Sequence, residues 1–108
     1  MRREDEEKLP VTKTRDPKTK ALHNLNGPAI VYKSGRKEYW VNGLRHRLDG
    51  PAIVDKTTTG KNWNLWYING KLATPQIHFW ADEVGIDLNN LSDEDITMIH
   101  LRWGEYGK

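Results

Sequence analysis

Gly27-Pro28-Ala29-Ile30-Val31 returns as Gly50-Pro51-Ala52-Ile53-Val54, and Asn42-Gly43 returns as Asn69-Gly70. His23 recurs as His46, and the Leu25-Asn26 step recurs as Leu48-Asp49. The offset is 23 residues at the start of each unit and 27 at its end. Repetition on this scale points to a repeat array, and a repeat array points to a binding scaffold before it points to an enzyme.

The turns inside each unit identify the element type. Asn42-Gly43 and Asn69-Gly70 have the composition of type I′ hairpins, whose central residues both take positive φ. Gly35 and Gly60 mark the opposite turns, and Pro28 and Pro51 sit at strand starts, where a missing N–H does least harm. Gly27 to Gly35 is 8 steps and Gly50 to Gly60 is 10, while Gly35 to Asn42 is 7 and Gly60 to Asn69 is 9. Each arm of the second hairpin has grown by two residues, which preserves the facing of every side chain in a strand. A helical repeat has no reason to grow in that pattern.

On this register Ala29, Val31, Tyr39, Val41, Ala52, Val54, Trp66 and Ile68 make one apolar face, expected to be covered. The other face carries Ile30, Tyr32, Glu38, Trp40, Ile53, Asp55, Leu65 and Tyr67. Upstream, Val11 to Arg15 reads as a short strand, and Asp16-Pro17-Lys18-Thr19 as a type I turn. They form a degenerate opening unit over residues 11–26, before the full units 27–43 and 50–70 joined by 44–49. Residues 1–10, almost wholly charged from Met1 to Lys8, read as a flexible arm.

After Leu72 the pattern changes to helices. Thr74-Pro75 reads as an N-cap followed by proline at the first helical position, with Ile77, Trp80, Ala81 and Val84 as the inner stripe and Gly85 as the stop. A second helix begins at Ser92, with Asp93, Glu94 and Asp95 in its first turn and Leu91 and Ile96 placed as a hydrophobic staple. Ile96, Ile99 and Trp103 make its stripe, widened by Met98 and Leu101, and Gly104 ends it. The fold class expected is α+β: an antiparallel meander of β-hairpin repeats over residues 11–73, packed against or followed by two helices over 74–108.

The residues Trp66-Tyr67-Ile68-Asn69-Gly70 and His46-Arg47-Leu48-Asp49-Gly50-Pro51-Ala52 resemble the W-Y-x-N-G … H-R-x-D-G-P-A repeat of many small proteins in tailed phages and large DNA viruses. That repeat is similar to a MORN-repeat variety of some bacterial antitoxins. The resemblance covers about residues 21–72. It implies a meandering sheet used as a protein-binding surface, and a phage origin would direct it against a host enzyme or defence system. The first unit departs from the pattern, with His23-Asn24-Leu25-Asn26, and Ala73-Thr74 stand where another His-Arg is expected.

Composition narrows the function further. Net charge is +2, but residues 21–73 carry eight Lys/Arg against three Asp/Glu, and residues 74–108 carry two against seven. There is no cysteine, so neither disulfides nor thiolate metal sites can form. The charged N-terminus lacks the apolar core of a signal peptide, and no run is apolar enough to span a bilayer. A cytoplasmic protein is expected, in the host cytoplasm if the chain is phage-encoded.

No catalytic residue, metal ligand set or cofactor motif stands out. His23 and His46 are duplicated as a catalytic base need not be, Asp49 and Asn26 are turn residues, and no Ser or Cys nucleophile stands nearby. The histidines His23, His46, His78 and His100 show no ligand spacing within one element. Asn90-Leu91-Ser92 matches a glycosylation acceptor by chance. The functional candidates are instead the aromatic and basic residues Tyr32, Trp40, Trp63, Tyr67, Arg36, Arg45, Arg47 and Lys61. Aromatic rings and arginine dominate protein-interface hot spots, and they also stack nucleic-acid bases between neutralised phosphates. Asp93, Glu94 and Asp95 offer a second surface to a basic partner. The leading expectation is a non-enzymatic binder of a host protein. A nucleic-acid binder and a structural or virion-associated homo-oligomer joined through strand edges are the alternatives.

Overall fold

The structure is a computed structural model that describes residues 10–56 and 62–108, with only the backbone described at Lys56, Asn62 and Trp63. The strands are β1 (Pro10–Lys13), β2 (Ile30–Tyr32), β3 (Lys37–Glu38), β4 (Trp40–Val41), β5 (Leu44–Arg45), β6 (Ile53–Lys56), β7 (Asn62–Leu65), β8 (Tyr67–Ile68) and β9 (Lys71–Leu72). Two helices follow, α1 (Thr74–Val84) and α2 (Asp93–Trp103). The class is α+β, as the repeat and the helical spacing predict.

One 5-stranded antiparallel sheet runs β1-β2-β3-β6-β7, and β4-β5 and β8-β9 form separate hairpins. Ile30 faces Glu38, Glu38 faces Ile53, and Ile53 faces Leu65. The second unit therefore preserves the register of the first despite its longer arms. The hairpin tip at 57–61 lies outside the described residues. The strand path breaks at Tyr39 and Trp66, where the chain leaves the large sheet for the small hairpins. Tyr39 N–H donates to Ala52, while its carbonyl accepts from His46 N–H, so a single residue joins both layers.

The Asn-Gly turns have the predicted geometry: φ is 51° and 80° at Asn42-Gly43, and 52° and 84° at Asn69-Gly70. Successive turns stack, because Gly43 N–H donates to Leu22 and Gly70 N–H donates to Arg45. The opening unit uses a longer loop than the expected type I turn. Asp16 Oδ1 accepts from the N–H groups of Lys18 and Thr19, Lys20 takes φ 66°, and an isolated bridge joins Arg15 to Leu22. β1 is the exposed edge of the large sheet, but Pro10 and a register shift between Pro10 and Thr12 blunt it against further pairing.

The expected single covered face is not what the chain builds. Ile30 and Ile53, assigned to the opposite face, are buried, as are Ala29 and Ala52, whereas Val31, Tyr39, Val41 and Val54 are only half-buried. The break in strand path is the cause, since a bent array has no continuous flat face to cover. The helices reach only its last pair: Trp66, Ile68, Ala73, Ile77, Ile99 and Trp103 form the main core, with Leu48, Trp80, Leu88, Leu91 and Tyr106 packed around it. They close the end of the array rather than roofing its length.

The helix termini refine this picture. Ala73, not Thr74, is the N-cap residue of α1, because the Thr74 hydroxyl accepts from Trp66 N–H at 2.9 Å. α1 ends as expected at Gly85, with φ 80°. α2 has a full capping box, in which Ser92 Oγ accepts from Asp95 N–H and Asp95 Oδ2 accepts from Ser92 N–H. Val84, Met98 and Leu101 were expected inside but are exposed, Leu101 by 84%. Eleven-residue helices lying across the end of a narrow array have one flank to bury, so the wider stripe stays outside.

The last turn is held by the C-terminal segment, where a further hairpin would otherwise stack. Asn69 Nδ2 donates to the carbonyls of Gly104 and Tyr106 at 3.2 and 2.8 Å, and the Tyr106 hydroxyl donates to Leu72 at 3.1 Å. A Cβ on Gly107 would lie 2.8 Å from the Ile68 carbonyl. Asn42 has the same turn geometry, yet its side chain does not join such a clasp. Asn69→Gly is therefore expected to destabilise by about 1–3 kcal/mol through two lost hydrogen bonds. Asn42→Gly, which also tolerates positive φ, is expected to stay within about 0.5 kcal/mol of the parent. Urea denaturation of the two variants checks the contrast.

Candidate functional site

The duplicated histidines each accept a backbone hydrogen bond from an Asn-Gly turn. Asn42 N–H donates to His23 Nδ1 at 3.0 Å, and Asn69 N–H donates to His46 Nδ1 at 2.9 Å. Each histidine thus ties its own unit to the following Asn-Gly turn. Both Nδ1 atoms accept, so both rings carry their proton on Nε2 when neutral. Burial, with the charges of Lys108 and His100 nearby, pushes the His46 pKa below its usual 6.5.

Arg47 is turned inward at its corner. It donates to Asp49 Oδ1 at 3.0 Å and to the Pro51 carbonyl at 3.1 Å, and its guanidinium lies 4.0 Å from the centre of the Tyr39 ring. A Cβ on Gly50 would meet the guanidinium carbon at 2.7 Å, so the guanidinium lies close against this corner. In the first unit Asn24 substitutes for Arg47: its Nδ2 donates to the Pro28 carbonyl and its Oδ1 accepts from Asn26 N–H. Arg47 thus braces its turn through Asp49, the Pro51 carbonyl and the Tyr39 ring, apart from the other predicted arginines.

Five of the predicted residues do converge, around one that was not predicted as a site. Glu38 is 3% exposed, and its carboxylate accepts from Arg36 Nε and Trp40 Nε1, each at 3.1 Å. Arg45 Nε lies 3.6 Å from the same carboxylate, and Arg36 reaches on to Asp55 at 3.2 Å. Tyr32 lies under Arg36 at 5.8 Å, while Arg45 spans the Trp40 and Tyr67 rings at 5.1 and 5.3 Å. Strand alternation places Arg36, Glu38 and Trp40 on one side, and cross-strand pairing of Trp40 with Arg45 brings in the second guanidinium.

The electrostatics of this cluster are self-consistent. Burial alone would raise the Glu38 pKa, but the Trp40 hydrogen bond and the Arg36 charge hold it below the usual 4.5. The Tyr32 hydroxyl is pushed up, first by burial and then by the Glu38 charge. Two guanidinium groups and two carboxylates share the patch. It presents stacked rings whose cations are paired with carboxylates.

The remaining predicted residues fall elsewhere. Lys61 and the side chain of Trp63 lie outside the described residues. Asp95 is half-buried and engaged in the α2 capping box, while Asp93 and Glu94 are exposed beside it. Among the described residues no three His, Asp or Glu side chains group to hold a metal ion. No helix among them is long and apolar enough to cross a membrane. Glu38 was missed because a lone glutamate in a strand reads as solvent-facing; the signal was its position between Arg36 and Trp40 at strand spacing. No family model, curated protein or solved structure matches this chain significantly.

Proposed function

We propose that this chain is a non-enzymatic protein-binding module, and that it acts as a phage-encoded antagonist or modulator of a host protein in the host cytoplasm. The phage assignment rests on the resemblance of the repeat. One observation carries the binding reading: Tyr32, Trp40 and Tyr67 are assembled with Arg36 and Arg45 over a buried carboxylate. Aromatic rings and arginines held in fixed rotamers lose little entropy on contact and are the residues on which interface energies concentrate. Pairing of both arginines with Glu38 and Asp55 lowers the pull of this patch on phosphates, which favours a protein partner over a nucleic acid.

The test is affinity capture from host lysate, followed by titration of the purified partner with variants shown by thermal melting to be folded. Trp40→Ala and Tyr67→Ala are expected to weaken binding about tenfold or more, whereas Glu94→Ala leaves it unchanged. Full affinity in both patch variants would refute the assignment, and loss with Glu94→Ala would move the surface to the acidic helix.

A further inference from the structure

Arg36 and Arg47 spend their donors inside the molecule. Arg36 bonds to Glu38 and Asp55, and Arg47 bonds to Asp49 and the Pro51 carbonyl. Arg45 does not. Its Nε is buried without a hydrogen-bond partner, whereas its two Nη groups are not buried and donate to no described residue. We propose that Arg45 receives a carboxylate from the partner protein, an aspartate or glutamate side chain seated on both Nη groups beside the Trp40 and Tyr67 rings. The inference rests on the reading of this patch as a protein-binding surface and names the chemistry it takes.

Glu38 cannot fill this role itself. One of its oxygens accepts from Arg36 Nε and the other from Trp40 Nε1, each at 3.1 Å. Arg45 is left at 3.6 Å, beyond ordinary hydrogen-bond distance. The rings hold its guanidinium instead, with the central carbon 5.1 Å from the Trp40 ring centre and 5.3 Å from that of Tyr67. Strand pairing of Trp40 with Arg45 fixes the arrangement from the backbone. A guanidinium positioned in this way has lost rotamer freedom before a partner arrives. Its planar fork matches a carboxylate through two parallel N–H···O bonds.

The charge around the patch selects the same partner. Residues 21–73 carry eight Lys/Arg against three Asp/Glu, and all three carboxylates are in ion pairs with Arg36, Arg45 or Arg47. The repeat region therefore draws an acidic partner towards it. A carboxylate suits the patch better than a phosphate, because Glu38 and Asp55 oppose a doubly charged group more than a singly charged one.

Guanidinium nitrogen-15 spectra of the whole chain follow Arg45 and Arg47 separately. The probe is a blocked peptide with two consecutive glutamates flanked by glycines. The matching glutamine peptide and inorganic phosphate serve as comparisons at constant ionic strength. The expected result is a saturable shift of the Arg45 guanidinium signals with the glutamate peptide, absent with the glutamine peptide and weaker with phosphate. Arg47 signals stay in place. Arg45→Lys keeps the charge but loses the fork; shown folded by thermal melting, it is expected to bind the glutamate peptide about tenfold more weakly. No saturable shift at Arg45, an equal response to the glutamine peptide, or full affinity in folded Arg45→Lys would overturn the proposal. So would a stronger response to phosphate, which would turn the patch towards nucleic acid. Absence of a carboxylate response leaves the patch assignment standing, because Trp40→Ala and Tyr67→Ala test that assignment against the captured partner.

Discussion

Trp66→Ala is expected to remove about 3–5 kcal/mol of stability, a large share of the about 5–15 kcal/mol that holds a typical domain together. Trp66 is 2% exposed and lies in the core formed with Ile68, Ile77, Ile99 and Trp103. Its backbone also closes the junction between the array and α1: Trp66 N–H donates to the Thr74 hydroxyl, and its carbonyl accepts from Ala73 N–H. Tyr39 is its counterpart one unit earlier, half-buried and covered by the Arg47 guanidinium instead of by helices. Tyr39→Ala is therefore expected to cost about 1–2 kcal/mol, the loss of partial burial and one cation–π contact. Chemical denaturation of both variants measures the difference. Equal costs would mean that the helices do not close the array at its last unit.

Glu38→Ala is expected to destabilise by about 2–4 kcal/mol, because it leaves the Trp40 indole without its acceptor and two guanidinium groups without their shared anion. The cost falls short of that for a fully buried pair, since Arg36 and Arg45 remain about one-third exposed and regain hydration. The same residue predicts an acid limb. With its folded pKa held below 4.5, Glu38 contributes stability above about pH 4.5 that is lost as pH falls through the folded value. His46, whose folded pKa lies below 6.5, contributes stability above about pH 6.5 that declines as pH drops beneath it. Glu38→Gln should flatten the lower part of the stability–pH curve and leave the decline near pH 6 in place. Denaturation midpoints across pH 3 to 8 read both.

Much of the scaffold was legible because its signals are local. Asn-Gly at 42–43 and 69–70 requires positive φ, and the paired two-residue insertions fixed the register that places Ile30 opposite Glu38 and Ile53 opposite Leu65. The duties of Asp49 as a turn residue and Gly85 as a helix stop are likewise local. What failed depends on partners distant in sequence. The break in strand path at Tyr39 and Trp66 hides in ordinary alternation, so the single covered face was expected where two partly buried ones exist. The contacts of Arg47 with Asp49, Pro51 and the Tyr39 ring come from a corner that strand alternation does not show. Thr74 had the composition of an N-cap, but Trp66, eight residues away, claims its hydroxyl. The site was half legible: alternation put Tyr32, Glu38, Trp40 and Tyr67 on one face, but the burial of the Glu38 carboxylate depends on Arg36 and Arg45 closing over it.

The histidines test the central claim, that the duplicated motif is a scaffold whose side chains hold one unit to the next. Imidazole nitrogen-15 chemical shifts at pH 7.5 give the tautomer of each ring directly. The predicted result is that His23 and His46 both carry their proton on Nε2, with Nδ1 accepting from the amides of Asn42 and Asn69. A proton on Nδ1 in either duplicated histidine, or free averaging in both, would contradict it.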